Sequence, residues 1–225
     1  MSVDLDEASH VVSDQFLSVT IDAGSVRSNW DGLDLKSQRV INMGKALAPA
    51  MLRIGGYRQD FLLFNTTNIV KNQYVVGPRV GSSVNSTMNA SQWDAINEYA
   101  LATGWDIIFG LNVFLRNPWP GGDWDTTNAE MMMKYTESKG YKVSWELGNG
   151  IEYIHNKQNM LSILYFWPIS EPDAFPFITN TTVVSAEQLA KDFGTLRGLL
   201  VKLKLKPLYV AGPDITNGGD EFLTR

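Results

Sequence analysis

At 225 residues the chain can bury one sizeable core, and a composition of 44% hydrophobic and 19% charged residues excludes a disordered polymer. A net charge of −5 excludes a general nucleic-acid binder, so a polyanionic ligand has to be met by a local basic patch. The absence of cysteine excludes disulfides, thiolate catalysis and cysteine metal sites, and two histidines, His10 and His155, are too few for a multi-histidine metal centre.

The first fifteen residues (MSVDLDEASHVVSDQ) are polar and acidic, unlike a signal peptide, and no apolar run is long enough to span a bilayer. Residues 16–22 (FLSVTID) predict a strand that ends on a carboxylate. A helix follows over 36–47, with Val40, Ile41 and Leu47 as its apolar positions, then a short buried strand over 50–54 stopped by Gly55 and Gly56. Residues 65–89 are rich in Gly, Ser and Asn and predict a loop. A helix over 91–102, capped by Asn or Ser, is closed by Gly104. The near-continuous apolar run 105–111 (WDIIFGL) has the character of a parallel-sheet strand. A turn over 118–123 precedes a helix over 126–139 closed by Gly140, then a strand over 141–147. A helix over 185–203 and a last strand over 208–211 complete the series. Four Asn-x-Ser/Thr sequons, at Asn65, Asn85, Asn89 and Asn180, fit either glycosylation or chance in Asn/Thr-rich loops.

The alternation of strands and helices predicts βαβ units around a parallel sheet, in the α/β class. Two architectures fit, a doubly wound sheet and a (β/α)8 barrel. No Gly-x-Gly-x-x-Gly follows the first strand, which lowers the nucleotide-binding option. Asp22, Asn112, Asn149 and Asp214 stand at strand C-termini, where a barrel builds its active face. Five predicted strands amount to a partial barrel of about five βα units.

Several segments resemble the heparanases of glycoside hydrolase family 79. They are FLSVTIDAG (16–24), LRIGGYRQDFLLF (52–64), DIIFGLN (106–112), SKGYKVSWELGN (138–149) and AGPD (211–214), in the family's order. The resemblance implies a (β/α)8 barrel with an added β-sandwich. The opening VDLD (3–6) is similar to the part of the family that enters the sandwich, so residues 1–15 are expected there and 16–225 in an incomplete barrel. It also implies retaining hydrolysis of β-glucuronide linkages in heparan sulfate-type glycans by two glutamates, without metal or cofactor. One carboxyl must hold a proton for the leaving oxygen while the other, about 5 Å away, attacks as an ion. The expected partner is therefore a heparan sulfate-like polysaccharide, with no nucleic acid and no integral membrane segment. The resemblance places the protein in a secreted, lysosomal or membrane-associated setting.

In the family the acid/base glutamate directly follows the asparagine of WELGN. Here Asn149 is followed by Gly150 and Ile151, and Glu171-Pro172 comes later; deleting residues 150–170 restores WELGNEPDAF. That segment has one acidic residue and a dense apolar stretch, which favours a retained intron translated in frame over a lineage-specific loop. Glu171 is the candidate acid/base, displaced by the insert. Glu152 lacks the following proline, and Glu146 reads as a structural carboxylate of the barrel interior. The resemblance gives Asp22, Tyr57 and Asn149 as sugar-binding positions. Gly24 and Tyr57 depart from the Asn and Thr of vertebrate members, which help hold the uronate. Arg53 is placed either to orient a carboxylate beneath the active face or to form a structural ion pair. Lys202, Lys204 and Lys206 form a small basic run that fits a solvated helix end better than a glycan patch. No nucleophile glutamate is matched, so the chain is expected to lack retaining activity by itself, with a non-catalytic glycan-binding remnant as the alternative.

Overall fold

The computed structural model describes residues 12–27, 29–66, 86–118, 122–149, 184 and 186–212. Its frame is a five-stranded, wholly parallel sheet of β1 (Ser18–Asp22), β2 (Ala50–Gly55), β5 (Trp105–Leu111), β8 (Val143–Leu147) and β9 (Val210–Ala211), in that spatial order. The connections carry α1 (Gly24–Arg27) and α2 (Gln38–Ala46), then α3 (Ala90–Thr103), α4 (Thr127–Ser138) and α5 (Ala186–Lys202). Two short pairs stand apart from the sheet: parallel β3 (Leu62–Asn65) with β4 (Ser86–Asn89), and antiparallel β6 (Arg116–Asn117) with β7 (Asp123–Trp124).

The strand order decides between the two architectures. A doubly wound sheet reverses direction at a switch point, whereas a barrel adds each new strand on the same side of the last. Here every strand of the main sheet neighbours the next one in sequence, without reversal, as five consecutive units of a (β/α)8 barrel.

One face of this sheet is dry. Leu52 and Ile54 on β2, Phe109 on β5 and Trp145 and Leu147 on β8 are buried together with Trp93 and Ile96 on α3 and Leu196 on α5. Phe109 packs edge-on between Trp93 (centroids 5.0 Å) and Trp145 (6.2 Å), a geometry that favours ring edges meeting ring faces. The other face alternates with it: Thr20 is exposed and Arg53 and Ile108 are half-buried.

Both ends of α3 and the C-terminal end of α4 follow the sequence signals. Asn89 accepts the Gln92 N–H, and the Gln92 side chain accepts the Asn89 N–H, closing a capping box on α3. Gly104 ends α3 at φ 77°, and Gly140 takes φ 70° just beyond α4. The predicted loop 65–89 is corrected at both ends, which form the β3–β4 pair. Leu62, Phe64 and Met88 are buried there, and Asn128 of α4 satisfies both the N–H (3.0 Å) and the C=O (2.9 Å) of Phe64. The predicted turn 118–123 is spanned by the β6–β7 hairpin, and the last strand is shorter than expected because Leu208 and Tyr209 remain exposed.

Candidate active site

Register assembles the site. Asp22 pairs with Gly55, Ile54 with Phe109, and Gly110 with Glu146, so Asp22, Gly55, Gly110 and Glu146 form one row across four strands near their C-terminal ends. Three strand spacings separate Asp22 from Glu146, about 14 Å along the sheet. The two middle members have no side chain, which leaves room for groups from the flanking strands to meet above them.

Arg53 uses that room. Its Nε donates to Glu146 Oε2 at 2.6 Å and its Nη2 to Oε1 at 2.5 Å, a two-pronged pair spanning β5. The side chain of Glu146 is only 4% exposed, and Arg53 engages both of its oxygens in an ion pair, the arrangement expected of a structural carboxylate. Arg53 Nη2 also donates to Asn149 Oδ1 at 3.0 Å. A guanidinium can only donate, so this bond fixes the carboxamide with its oxygen inward. The Nδ2 of Asn149 is buried and has no partner among the described residues.

Asp60 holds the same residue from behind. It lies in the turn of 3₁₀ helix Tyr57–Phe61 and is fully buried. Its Oδ2 accepts the backbone N–H of Asn149 (3.2 Å) and its Oδ1 that of Val113 (3.1 Å), tying the ends of β8 and β5 together. Burial drives its pKa up to about 8, against the pull of the two N–H groups and of Arg116; the charge on Glu146 adds to the rise. Gln59 beside it is buried, with both amide atoms unpartnered among the described residues, and a Cβ on Gly110 would come within 2.1 Å of its Oε1. Neither Asp60 nor Gln59 was singled out by sequence reasoning. The available signal was a carboxylate followed at once by the apolar run FLLF.

Asp22 is exposed at the end of β1, with Oδ1 accepting the Gly24 N–H at 2.7 Å. Gly56, at φ 89°, lies so close that a Cβ there would sit 2.7 Å from Asp22 Oδ2. Asp22 and Asn149 thus occupy one rim without touching each other. Tyr57 opens the 3₁₀ turn between them, and its side chain lies outside what the structure describes, as do Glu171, Glu152 and residues 150–170. The basic run is elsewhere: Lys202 binds both oxygens of Glu130 at 3.1 Å, and Lys206 lines a cavity of about 250 Å³ with Asp106 and Val143 at the strand N-termini. A further cavity of about 410 Å³ lies between residues 30–36 and the start of α3, away from the strand ends. Among the described residues no group of three His, Asp or Glu side chains is placed to hold a metal, and no helix is long and apolar enough to cross a membrane.

The family sequence profile "Glycosyl hydrolase family 79, N-terminal domain" matches residues 24–159. The chain belongs to glycoside hydrolase family 79. Heparanase of Rattus norvegicus is 30% identical over 91% of the chain and 40% of its own length, and that of Mus musculus 29% over 91% and 41%. Inactive heparanase-2 of Homo sapiens is 25% identical over 91% of the chain and 39% of its length. The chain therefore spans about two fifths of the length of the curated relatives it matches. A 4-O-α-L-rhamnosyl-β-D-glucuronidase from Fusarium oxysporum superposes with a TM-score of 0.55 over 92% of the chain and 39% of the solved one, at 16% identity, and so shares its fold.

Proposed function

We propose that this chain supplies the first half of a retaining glycosidase cleft for β-glucuronide linkages of heparan sulfate-type glycans. The observation that carries the reading is Asn149, pinned by Arg53 and Asp60 with an Nδ2 that is unpaired among the described residues, at the rim of a parallel sheet of this family. A fixed, desolvated donor discriminates strongly for a ligand that returns an acceptor, because leaving it unpaired costs free energy in the free protein already. A sugar hydroxyl oxygen meets that need.

In this reading Asn149 donates to the sugar beside the scissile bond, and Asp22 accepts hydroxyl protons further along. Tyr57 is a further sugar-binding residue in this reading, and Glu171, which follows residues 150–170 in the sequence, is the acid/base. Residues 16–225 form the barrel portion and 1–15 the start of a β-sandwich. Two carboxyls with separated pKa values perform such hydrolysis without a cofactor. The 225 residues offer one of the pair, so the chain alone is expected to bind the glycan and not to hydrolyse it. The similarity to a relative named as inactive favours, as a second reading, a protein whose role is binding alone.

The test pairs binding with cleavage. The purified chain is expected to bind heparan sulfate in a salt-sensitive manner, to lose about tenfold in affinity on Asn149→Ala, and to leave the polymer's size distribution unchanged. Shortened glycan products overturn the statement that the chain is inactive, and binding indifferent to Asn149→Ala overturns the placement of the sugar.

A further inference from the structure

The β1–β2 corner carries a cation that the family resemblance does not use. Arg58 is the second residue of the 3₁₀ turn that follows β2, and it is exposed. Its aliphatic stem lies over Gly24: a Cβ built on Gly24 would stand 2.1 Å from Arg58 Cδ, 2.8 Å from Arg58 Nε and 2.6 Å from Asp22 Oδ1. Arg58 thus fills the space of the side chain missing at position 24, directly beside Asp22. The arrangement needs glycine, since no flexible tip but the middle of the arginine stem is in the way.

The charges at this corner are not spent on each other. Among the described residues Arg58 makes no hydrogen bond or ion pair, and the contact assigned to Asp22 is the Gly24 N–H on Oδ1. The rim therefore offers an acceptor, Asp22, next to an unpaired guanidinium. A carboxylate accepts from hydroxyls and repels an acidic ligand; a guanidinium presents a planar fork that matches a carboxylate or sulfate. Their juxtaposition suits a sugar that carries hydroxyls and an acidic group together.

We infer that Arg58 is a specificity-determining residue that binds the acidic group of the sugar whose hydroxyls meet Asp22, in the place vacated by a side chain at Gly24. The inference rests on the glycan reading above and assigns it a residue for acid recognition. It also accounts for the pairing of a glycine at 24 with an arginine at 58: a side chain at 24 and this placement of Arg58 exclude one another.

The test measures equilibrium binding of the whole chain to three oligosaccharides of equal length: one with glucuronate and no sulfate, its carboxyl-reduced counterpart, and a carboxyl-reduced sulfated form. Arg58→Gln is expected to weaken the acidic probes about tenfold, to flatten their salt dependence, and to leave the neutral probe within twofold. Arg58→Lys is expected to fall between the two, and Gly24→Ala, which displaces the stem, to mimic Arg58→Gln. The ratio of the losses for the glucuronate and sulfate probes identifies the acidic group. Equal weakening of acidic and neutral probes overturns the assignment, and so do acidic probes indifferent to Arg58→Gln. A wild-type chain that binds the neutral probe as well as the acidic ones removes Arg58's role and leaves the glycan reading in place. A chain that binds none of the three removes both.

Discussion

Asp60 and Glu146 are two buried carboxyls near the same strand ends, and they have different partners. Glu146 is met by both prongs of Arg53, while Asp60 meets two backbone N–H groups in a fully buried turn, where desolvation dominates. The consequence for Asp60 has a definite sign. Its pKa is raised on folding, from 3.8 to about 8, so the stability it contributes is complete below pH 3.8 and is lost as pH climbs through 8. Asp60→Asn, which cannot ionise, is expected to flatten this loss between about pH 4 and 8. Denaturant midpoints measured across that window check it, and parallel curves for the two proteins contradict it. For the ion pair the order of losses is the telling quantity. Glu146→Leu leaves Arg53 facing an apolar wall, and breaking a buried pair from one side costs about 3 kcal/mol. Arg53→Met together with Glu146→Leu is expected to cost less than Glu146→Leu alone, read from the same unfolding curves. A double variant weaker than either single one contradicts the account.

At the scale of elements, α3 shows how far local chemistry carries. Asn89, Gln92 and Gly104 specify both of its ends within a few residues, so the helix was legible before any tertiary contact was known. Asn89→Ala removes the acceptor for the Gln92 N–H and is expected to cost about 1 kcal/mol, or roughly 2–4 °C in thermal midpoint. Gln92→Ala, which opens the other half of the box, is expected to cost less. The main strands were legible for the same reason, as each is a self-contained apolar or alternating run. The β3–β4 pair was not. Its strands lie on either side of a polar stretch, and what makes them strands is the clamp by Asn128, which arrives from a helix much later in the chain. The site divides along the same line. Asp22 and Asn149 stand at strand ends and were visible as such, together with the ambiguity of Arg53. The bonds that fix Asn149 come from Arg53 and Asp60, which are remote from it in sequence, and the cation beside Asp22, Arg58, is placed by where a glycine leaves space.

The whole molecule adds a constraint that no element shows alone. Five parallel strands of barrel topology end at β1 on one side, and among the described strands β1 pairs only with β2. Among the described residues no strand pairs with its far edge, and edges with unpaired backbone donors and acceptors template association with other chains. Phe16 and Leu17, which lead into β1, are 72% and 58% exposed and extend that edge with apolar surface. Thr20 on the same strand is exposed as well, so little on the inner face of β1 screens it. The purified chain is therefore expected to self-associate at micromolar to millimolar concentration, with light scattering rising with concentration. Leu17→Lys places a charge beside the edge without touching the buried face. It is expected to lower that scattering while changing the unfolding free energy by no more than about 0.5 kcal/mol, as for an ordinary surface change, so that the thermal midpoint barely moves. If scattering is unchanged, association runs through some other surface and the β1 edge is already covered. If the midpoint drops sharply instead, Leu17 is part of the core and the strand begins earlier than its hydrogen bonds indicate.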